Sequence, residues 1–163
     1  MVQSRTDTTL GSVTPLRQRA IEIDVAQTFF GVLQERFGAS EADALLGLVV
    51  DRLAESAAAT WRTGRSEPSL ADLWEIWGVL GGDDRLDLHL DELSQGRLRF
   101  HVDRCAYAEL YRSRGQEDIG VAFSCRRDAP FARALVPGVR VDQSATILEG
   151  SPRCEFTYTL EDR

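Results

Sequence analysis

The apolar residues of the N-terminal half recur at intervals of three and four, which is the spacing of amphipathic α-helices. A first helix is predicted to begin after Thr14, which precedes a proline suited to the first helical position, and to end at Gly38. A second helix is predicted from Ser40, whose three-residue spacing to Asp43 suits a capping box, to about Trp61.

A third helix follows a polar linker, and its predicted start repeats the capping pattern. Ser69 would cap this helix and Asp72 would close the box, while the glycines at 81–82 would end it. Leucine and tryptophan residues supply its apolar face. The pattern therefore predicts three successive amphipathic helices in the first half of the chain.

Between residues 86 and 103 the period changes from 3.6 to two, which is the alternation of a β-hairpin with one buried face. The loop at 94–96 suits a three-residue turn with a bulge, in which Gly96 takes the left-handed conformation. This register predicts the cross-strand pairs Leu90 with Phe100, Asp91 with Arg99, and His89 with His101.

The last third of the chain predicts short helices followed by a second hairpin. The helices are expected over 104–111, 117–126 and 130–135, and the strands over 139–148 and 153–160. This order predicts an α+β fold, with N-terminal helices and an antiparallel sheet of two hairpins that have short helices between them. Residues 1–12 predict a flexible tail, and residues 13–163 a single domain.

The acidic charge of the chain narrows the classes of partner. Asp and Glu outnumber Lys and Arg by 26 to 19, which gives a formal net charge of −7, and no basic stripe offsets it. Nucleic acids and anionic membranes would repel such a surface. We therefore expect neither a nucleic acid nor a membrane as a partner, while a homodimer stays compatible with the sequence.

The cysteine content indicates a reducing compartment. Three cysteines, an odd number at wide spacings, are typical of free thiols in the cytoplasm and not of a disulfide framework. No apolar run reaches the length of a signal peptide core or a membrane span. Cofactor motifs are absent, and cysteines tens of residues apart disfavour a zinc site, so neither cofactor nor metal is expected.

The polar residues that can carry chemistry lie in the last third. Cys105 and Glu109 are four residues apart, and Cys125 and Asp128 are three apart, so each pair would share a helix face. A carboxylate beside a thiol can act as a general acid or base, although its charge disfavours the thiolate. The alternative is a purely structural role, in which each cysteine packs as a small buried apolar side chain.

Two further features have structural explanations as their default. Cys154 alternates in phase with Phe156, which predicts that its thiol points to the buried side of the last strand. The facing pair His89 and His101 is more typical of a surface cross-strand pair than of two metal ligands.

Five segments of the C-terminal third, in order, resemble the L-2-amino-thiazoline-4-carboxylic acid hydrolase family. Residues 100–111, FHVDRCAYAELY, resemble its TRCxYAExY segment, and SCRRD at 124–128 resembles its sCxRD segment. Further matches are the glycines Gly115 and Gly120, the segment ATILEG at 145–150, and RCEFTY at 153–158.

The resemblance implies a small-molecule substrate and hydrolysis of its cyclic amidine C=N bond, as in opening a thiazoline ring to N-carbamoyl-cysteine. It implies Cys154 as the nucleophile or as a thiol that shapes the pocket, with Asp128 and Glu109 as general base and acid. The substrate-binding set that it implies is Cys105, Tyr107, Cys125, Arg127 and His101, among which Arg127 is the candidate anion binder.

Three positions depart from the family pattern: Asp103 replaces a Thr, Gln143 an Arg, and Glu155 an Asp. The guanidinium of an arginine binds both oxygens of a carboxylate, so its absence at position 143 weakens the expectation of an amino-acid-like substrate. Arg127 or Arg140 would have to compensate for it.

Other functions stay open on the sequence. A tailoring enzyme of secondary metabolism would act on another small heterocycle or imine. A non-catalytic small-molecule-binding domain is an alternative because the order of elements resembles vinyl-4-reductase-type domains. A dimerisation module built on the helix at 69–80 would need an exposed apolar patch there.

Overall fold

The computed structural model describes residues 13–83 and 85–160, so the predicted tail at 1–12 lies outside the described residues. The helices are α1 (Pro15–Phe37), α2 (Ala39–Arg62), α3 (Leu70–Gly81), α4 (Ala106–Arg114), α5 (Glu117–Phe123), a 3-10 helix (Cys125–Arg127) and α6 (Asp128–Leu135). The strands are β1 (Leu86–Leu93), β2 (Arg97–Cys105), β3 (Val139–Ala145) and β4 (Cys154–Leu160). The predicted α+β fold is confirmed.

The two predicted hairpins join into one antiparallel sheet of strand order β1-β2-β4-β3. Side chains alternate across its strands, so one face is buried and the other is turned outward. Cys154 lies on the buried face, as its phase predicted. Helices cover this face, and a cavity remains between them and the strands.

An aromatic cluster fixes α3 on the sheet. The Phe100 and Phe156 rings stack at 4.9 Å, and the Trp77 ring lies 5.1 Å from the first and 5.0 Å from the second. Leu73 and Ile76 of the same helix face are also buried. Most of the apolar face of α3 therefore packs in the core, while Val79 and Leu80 near its end stay exposed.

The helix caps explain where α1 and α3 begin. The Thr14 hydroxyl accepts the Arg17 N–H at 3.3 Å, which confirms the predicted start of α1. The Ser69 hydroxyl accepts the Asp72 N–H at 3.3 Å, and the Asp72 carboxylate accepts the Ser69 N–H at 2.8 Å, as predicted for a capping box.

The predicted start of α2 at Ser40 is wrong. Gly38, at φ 84°, ends α1 and directly precedes α2, so a single residue separates the two helices and Ser40 already lies in the first turn. Asp43 makes no capping box and instead lies 3.2 Å from the Arg126 guanidinium. A glycine in an extended positive-φ conformation turns the chain here without a side-chain cap.

The hairpin register is partly as predicted. His89 faces His101 and Leu90 faces Phe100, as predicted, but Arg99 faces Glu92 instead of Asp91. The reason is a bulge in β1, which leaves Asp91 without a strand partner. Gly96 is also not left-handed, because the Ser94 hydroxyl closes the turn by accepting the Arg97 N–H at 3.1 Å.

The elements around the short helices differ from prediction at their ends. Strand β2 continues to Cys105, so α4 begins two residues later than expected, and Gly115 ends it at φ 64°. The predicted helix at 117–126 breaks at Ser124 into α5 and the 3-10 helix. Among the described residues, no helix combines the length and apolar character needed to cross a membrane.

Candidate functional site

A cavity of about 220 Å³ lies between the buried face of the sheet and the helices. Its wall is mainly apolar, and aromatic rings contribute much of it. The aromatic side chains on the wall are Trp61, Trp77, Tyr107, Tyr111, Phe131 and Phe156. The polar side chains there include Arg19, Ser124, Arg127, Asp128, Gln143 and all three cysteines. A concave, mainly apolar wall with a few convergent polar groups is typical of a small-molecule site.

Asp128, the first residue of α6, is the carboxyl group on the cavity wall. Gln143 of β3 donates to its Oδ2 at 3.4 Å, and the Arg127 and Arg19 guanidinium groups favour its charged form. Burial outweighs these effects and raises the pKa of Asp128 from 3.8 to about 7. A carboxyl group with this pKa can both accept and return a proton near neutral pH.

The three cysteines converge on this cavity although they are far apart in the sequence. Cys154 Sγ accepts the Ile147 N–H at 3.2 Å, and Cys105 Sγ accepts the Ala108 N–H at 3.4 Å as the N-cap of α4. Burial raises the pKa of all three thiols, that of Cys154 to about 11. The thiols are therefore protonated at neutral pH, and none is activated as a nucleophile in this structure.

The raised pKa values predict slow alkylation of the folded protein. Iodoacetamide reacts with the thiolate, and raising the Cys154 pKa from 9.0 to about 11 lowers its thiolate fraction about a hundredfold below pH 9. We expect intact-mass spectrometry at pH 8 to show rapid triple labelling in denaturant and slow labelling without it. A cysteine that reacts equally fast in both conditions would contradict the described burial.

Two arginines bring positive charge to the cavity. Arg127 comes from the 3-10 helix, and burial lowers its pKa. Arg19 comes from α1, where its guanidinium pairs with Glu22 at 2.8 Å and lies 5.4 Å from the centre of the Phe123 ring. Arg19 was not predicted as a site residue, because nothing in the pattern of α1 distinguishes this arginine from its exposed neighbours.

Two candidate residues lie outside the cavity. Glu109 is exposed on α4 and pairs with Arg104 at 2.6 Å. His101 alternates with core residues of β2 and so points to the outer face of the sheet, where Asp91 holds its Nδ1 at 3.1 Å. The expected helix face shared by Glu109 and Cys105 does not exist, because Cys105 ends the strand.

The remaining candidates are brought together by the fold. They are Cys105, Tyr107, Cys125, Arg127, Asp128 and Cys154, all on the cavity wall. Tyr111 also lies on the wall, and its hydroxyl is 2.5 Å from the Ser124 hydroxyl. Gln143 occupies the position where the family pattern has arginine, and it contacts Asp128 directly.

Solved structures show a similar fold. The phenol-responsive sensory domain of the transcription activator PoxR with phenol matches at a TM-score of 0.54 and 12% identity, over 85% of this chain and 74% of that chain. At this identity the likeness shows the fold alone. None of the curated proteins matches the chain.

A family match covers most of the chain and includes the cavity residues described above. The matched family is L-2-amino-thiazoline-4-carboxylic acid hydrolase, over residues 18–158. The match extends from α1 to β4, beyond the C-terminal third that carries the recognisable segments. This chain belongs to the L-2-amino-thiazoline-4-carboxylic acid hydrolase family.

Proposed function

We propose that the protein hydrolyses a small cyclic amidine, opening a ring of the 2-aminothiazoline-4-carboxylate type. The observation that carries this proposal is the Asp128 carboxyl group, which burial tunes to a pKa of about 7 on the wall of an apolar cavity. Family membership supports the reaction class. Free thiols suit the reducing cytoplasm that we propose as its compartment.

The proposed reaction begins with attack of water on the amidine carbon. Ionised Asp128 takes one proton from the water as the new C–O bond forms and passes that proton to the ring nitrogen, which gives a neutral tetrahedral intermediate and leaves Asp128 ionised again. The C–S bond then breaks, the C=O bond forms, and the hydroxyl proton reaches the leaving sulfur through Asp128. One water is consumed, and the product is the ring-opened carbamoyl thiol.

The other polar groups fit supporting roles in this scheme. Arg127 and Arg19 bring two guanidinium groups to the cavity, either of which suits a substrate carboxylate. Gln143 is the donor that holds Asp128 at the wall. We propose that Cys154 shapes the pocket, because its thiol is protonated and already accepts the Ile147 N–H.

Incubation with L-2-aminothiazoline-4-carboxylate tests the proposal. We expect mass spectrometry to show a product heavier by one water with the wild type. Cys154→Ser should retain activity within about tenfold, since direct attack by water does not use the thiol, whereas loss of a nucleophile costs far more. A loss of more than a hundredfold in folded Cys154→Ser would make the thiol the nucleophile, and no product from folded wild type would reject the substrate.

A ligand-binding domain without turnover is the second candidate function. The observation that favours it is the aromatic wall of the cavity, together with a similar fold in a sensory domain solved with phenol. Trp61 and Trp77 line the wall, so their fluorescence reports occupancy. Fluorescence changes with recovery of unaltered ligand would favour binding alone, and turnover of another heterocycle in a panel would favour a tailoring enzyme.

A further inference from the structure

The outer face of the sheet, turned away from the cavity, carries both histidines of the chain among carboxylates. His89 lies on β1 and His101 faces it on β2, with their rings stacked at 5.0 Å. Asp87 and Asp103 flank the pair on the same two strands. The proposed hydrolytic site uses none of these residues.

The side-chain atoms of this cluster already have the spacing of a coordination shell. His89 Nε2 lies 3.2 Å from Asp87 Oδ1 and 3.5 Å from Asp103 Oδ2, and all three ligand atoms lie within 4.8 Å of one another. Zinc binds such atoms at about 2.0–2.2 Å, so neighbouring ligands in a tetrahedral site are about 3.3–3.6 Å apart. A divalent ion would fit between them with small side-chain movements.

A second observation concerns His101, whose two ring nitrogens have different surroundings. Its Nδ1 lies 3.1 Å from each carboxylate oxygen of Asp91, and its Nε2 lies 3.9 Å from Asp103 Oδ1. A carboxylate that accepts the Nδ1–H leaves the Nε2 lone pair free to bind a metal, which is the usual outer-shell arrangement for histidine ligands.

Two β-bulges produce this arrangement. The bulge between Leu90 and Glu92 leaves Asp91 without a strand partner, and its carboxylate reaches across to His101. The register shift between Asp87 and Leu88 leaves Asp103 of the facing strand β2 without a strand partner, and its carboxylate lies near the His89 ring. Bulges re-aim side chains in this way, and here both bring a carboxylate toward an imidazole.

We propose that Asp87, His89 and Asp103 bind a divalent transition-metal ion, with Zn²⁺ as the probe, and that the His101 side chain turns to supply the fourth ligand. Two imidazoles and two carboxylates suit such an ion better than Mg²⁺, which prefers oxygen ligands. The two carboxylates balance its charge. Asp91 serves as the outer-shell residue that orients His101. This site is independent of the proposed hydrolase function, since it lies on the opposite face of the sheet.

Calorimetric titration of the full chain with Zn²⁺ tests the site. We expect one equivalent to bind, and no comparable binding of Mg²⁺. His89→Ala and Asp103→Asn should each weaken the binding by at least about tenfold, and the outer-shell variant Asp91→Asn by about tenfold or more. Asp142→Asn is the matched control, because it removes an exposed carboxylate of β3 that lies outside the cluster.

The cysteines are the competing ligands for Zn²⁺ in this chain, and Co²⁺ distinguishes them. Thiolate ligation gives Co²⁺ an intense near-ultraviolet charge-transfer band, which we expect to be absent. Unchanged Zn²⁺ affinity in both His89→Ala and Asp103→Asn would overturn the proposal, as would a thiolate band. The stacked rings would then be held only by their contacts with the flanking carboxylates.

Discussion

An Asp128→Asn variant is expected to lose at least about a hundredfold of the wild-type turnover of 2-aminothiazoline-4-carboxylate and yet to remain folded. General acid–base catalysis contributes roughly 10²–10⁴ to a rate, and an amide can neither take the proton of the attacking water nor return it. Asn matches Asp in size, so the cavity keeps its shape. The measurement is kcat/KM by product mass spectrometry, with circular dichroism to confirm the fold.

The Asp128→Asn substitution lowers turnover, but it is expected to raise the stability of the folded protein at neutral pH. Asp128 releases its proton near pH 4 in the unfolded chain but near pH 7 in the folded one, because burial raises its pKa to about 7. The folded state therefore binds more protons between these values, and the free energy of unfolding falls as the pH rises from about 4 to about 7. The loss is on the order of a few kcal/mol.

The side-chain amide of the Asp128→Asn variant does not titrate, so the variant should lack this loss. We expect urea unfolding to show that the free energy of unfolding of the variant increases relative to that of the wild type as the pH rises from about 4 to about 7. Above pH 7 the difference between the two proteins should stay constant. Glu109→Gln is the matched control for both effects, because it removes an exposed carboxylate of α4. Wild-type turnover in Asp128→Asn would remove this carboxyl group from the mechanism, and parallel pH profiles would contradict its raised pKa.

Local patterns predicted most of the fold because the interactions that set it are themselves local. The Thr14 cap and the capping box of Ser69 each join atoms within three residues, and strand alternation fixed the buried face of the sheet. The errors arose where the backbone did something that side-chain patterns do not encode. Gly38 turns between two helices without a cap, and a bulge shifts Asp91 out of register.

The candidate site was predictable where local spacing and the family segments pointed to the same residues. The three-residue spacing of Cys125 and Asp128 and the resemblance of 124–128 both indicated this segment, and the structure places Asp128 on the cavity wall. Arg19 reaches the same cavity from α1, a contact set by helix packing that no spacing reveals. His101 was assigned to the substrate although its strand phase already placed it opposite the core, so alternation was the better guide there.

The glycine of α5 links the family pattern to the shape of the cavity. A Cβ atom at Gly120 would lie 2.5 Å from Tyr111 Cδ2 and 2.9 Å from Leu148 Cδ2, and both of these residues line the cavity. Such distances are below van der Waals contact, so the ring and the leucine must move. Gly120 is therefore needed for the close approach of α5 to α4 and to the loop before β4.

Gly120→Ala should destabilise the protein by about 1–3 kcal/mol, because overpacking outweighs the gain in helix propensity. Gly78 is the matched control: it lies in α3, and an added Cβ would meet nothing within 4 Å. Gly78→Ala should stabilise the protein by about 0.5–1 kcal/mol, since the alanine lowers the entropy of the unfolded chain without a clash. Urea unfolding should therefore give changes of opposite sign. If both variants gain stability, the Tyr111 ring moves aside without cost, and Gly120 does not determine the position of the cavity wall. If Gly120→Ala alone loses stability, we expect its ligand binding to weaken as well, because the displaced Tyr111 ring enters the cavity.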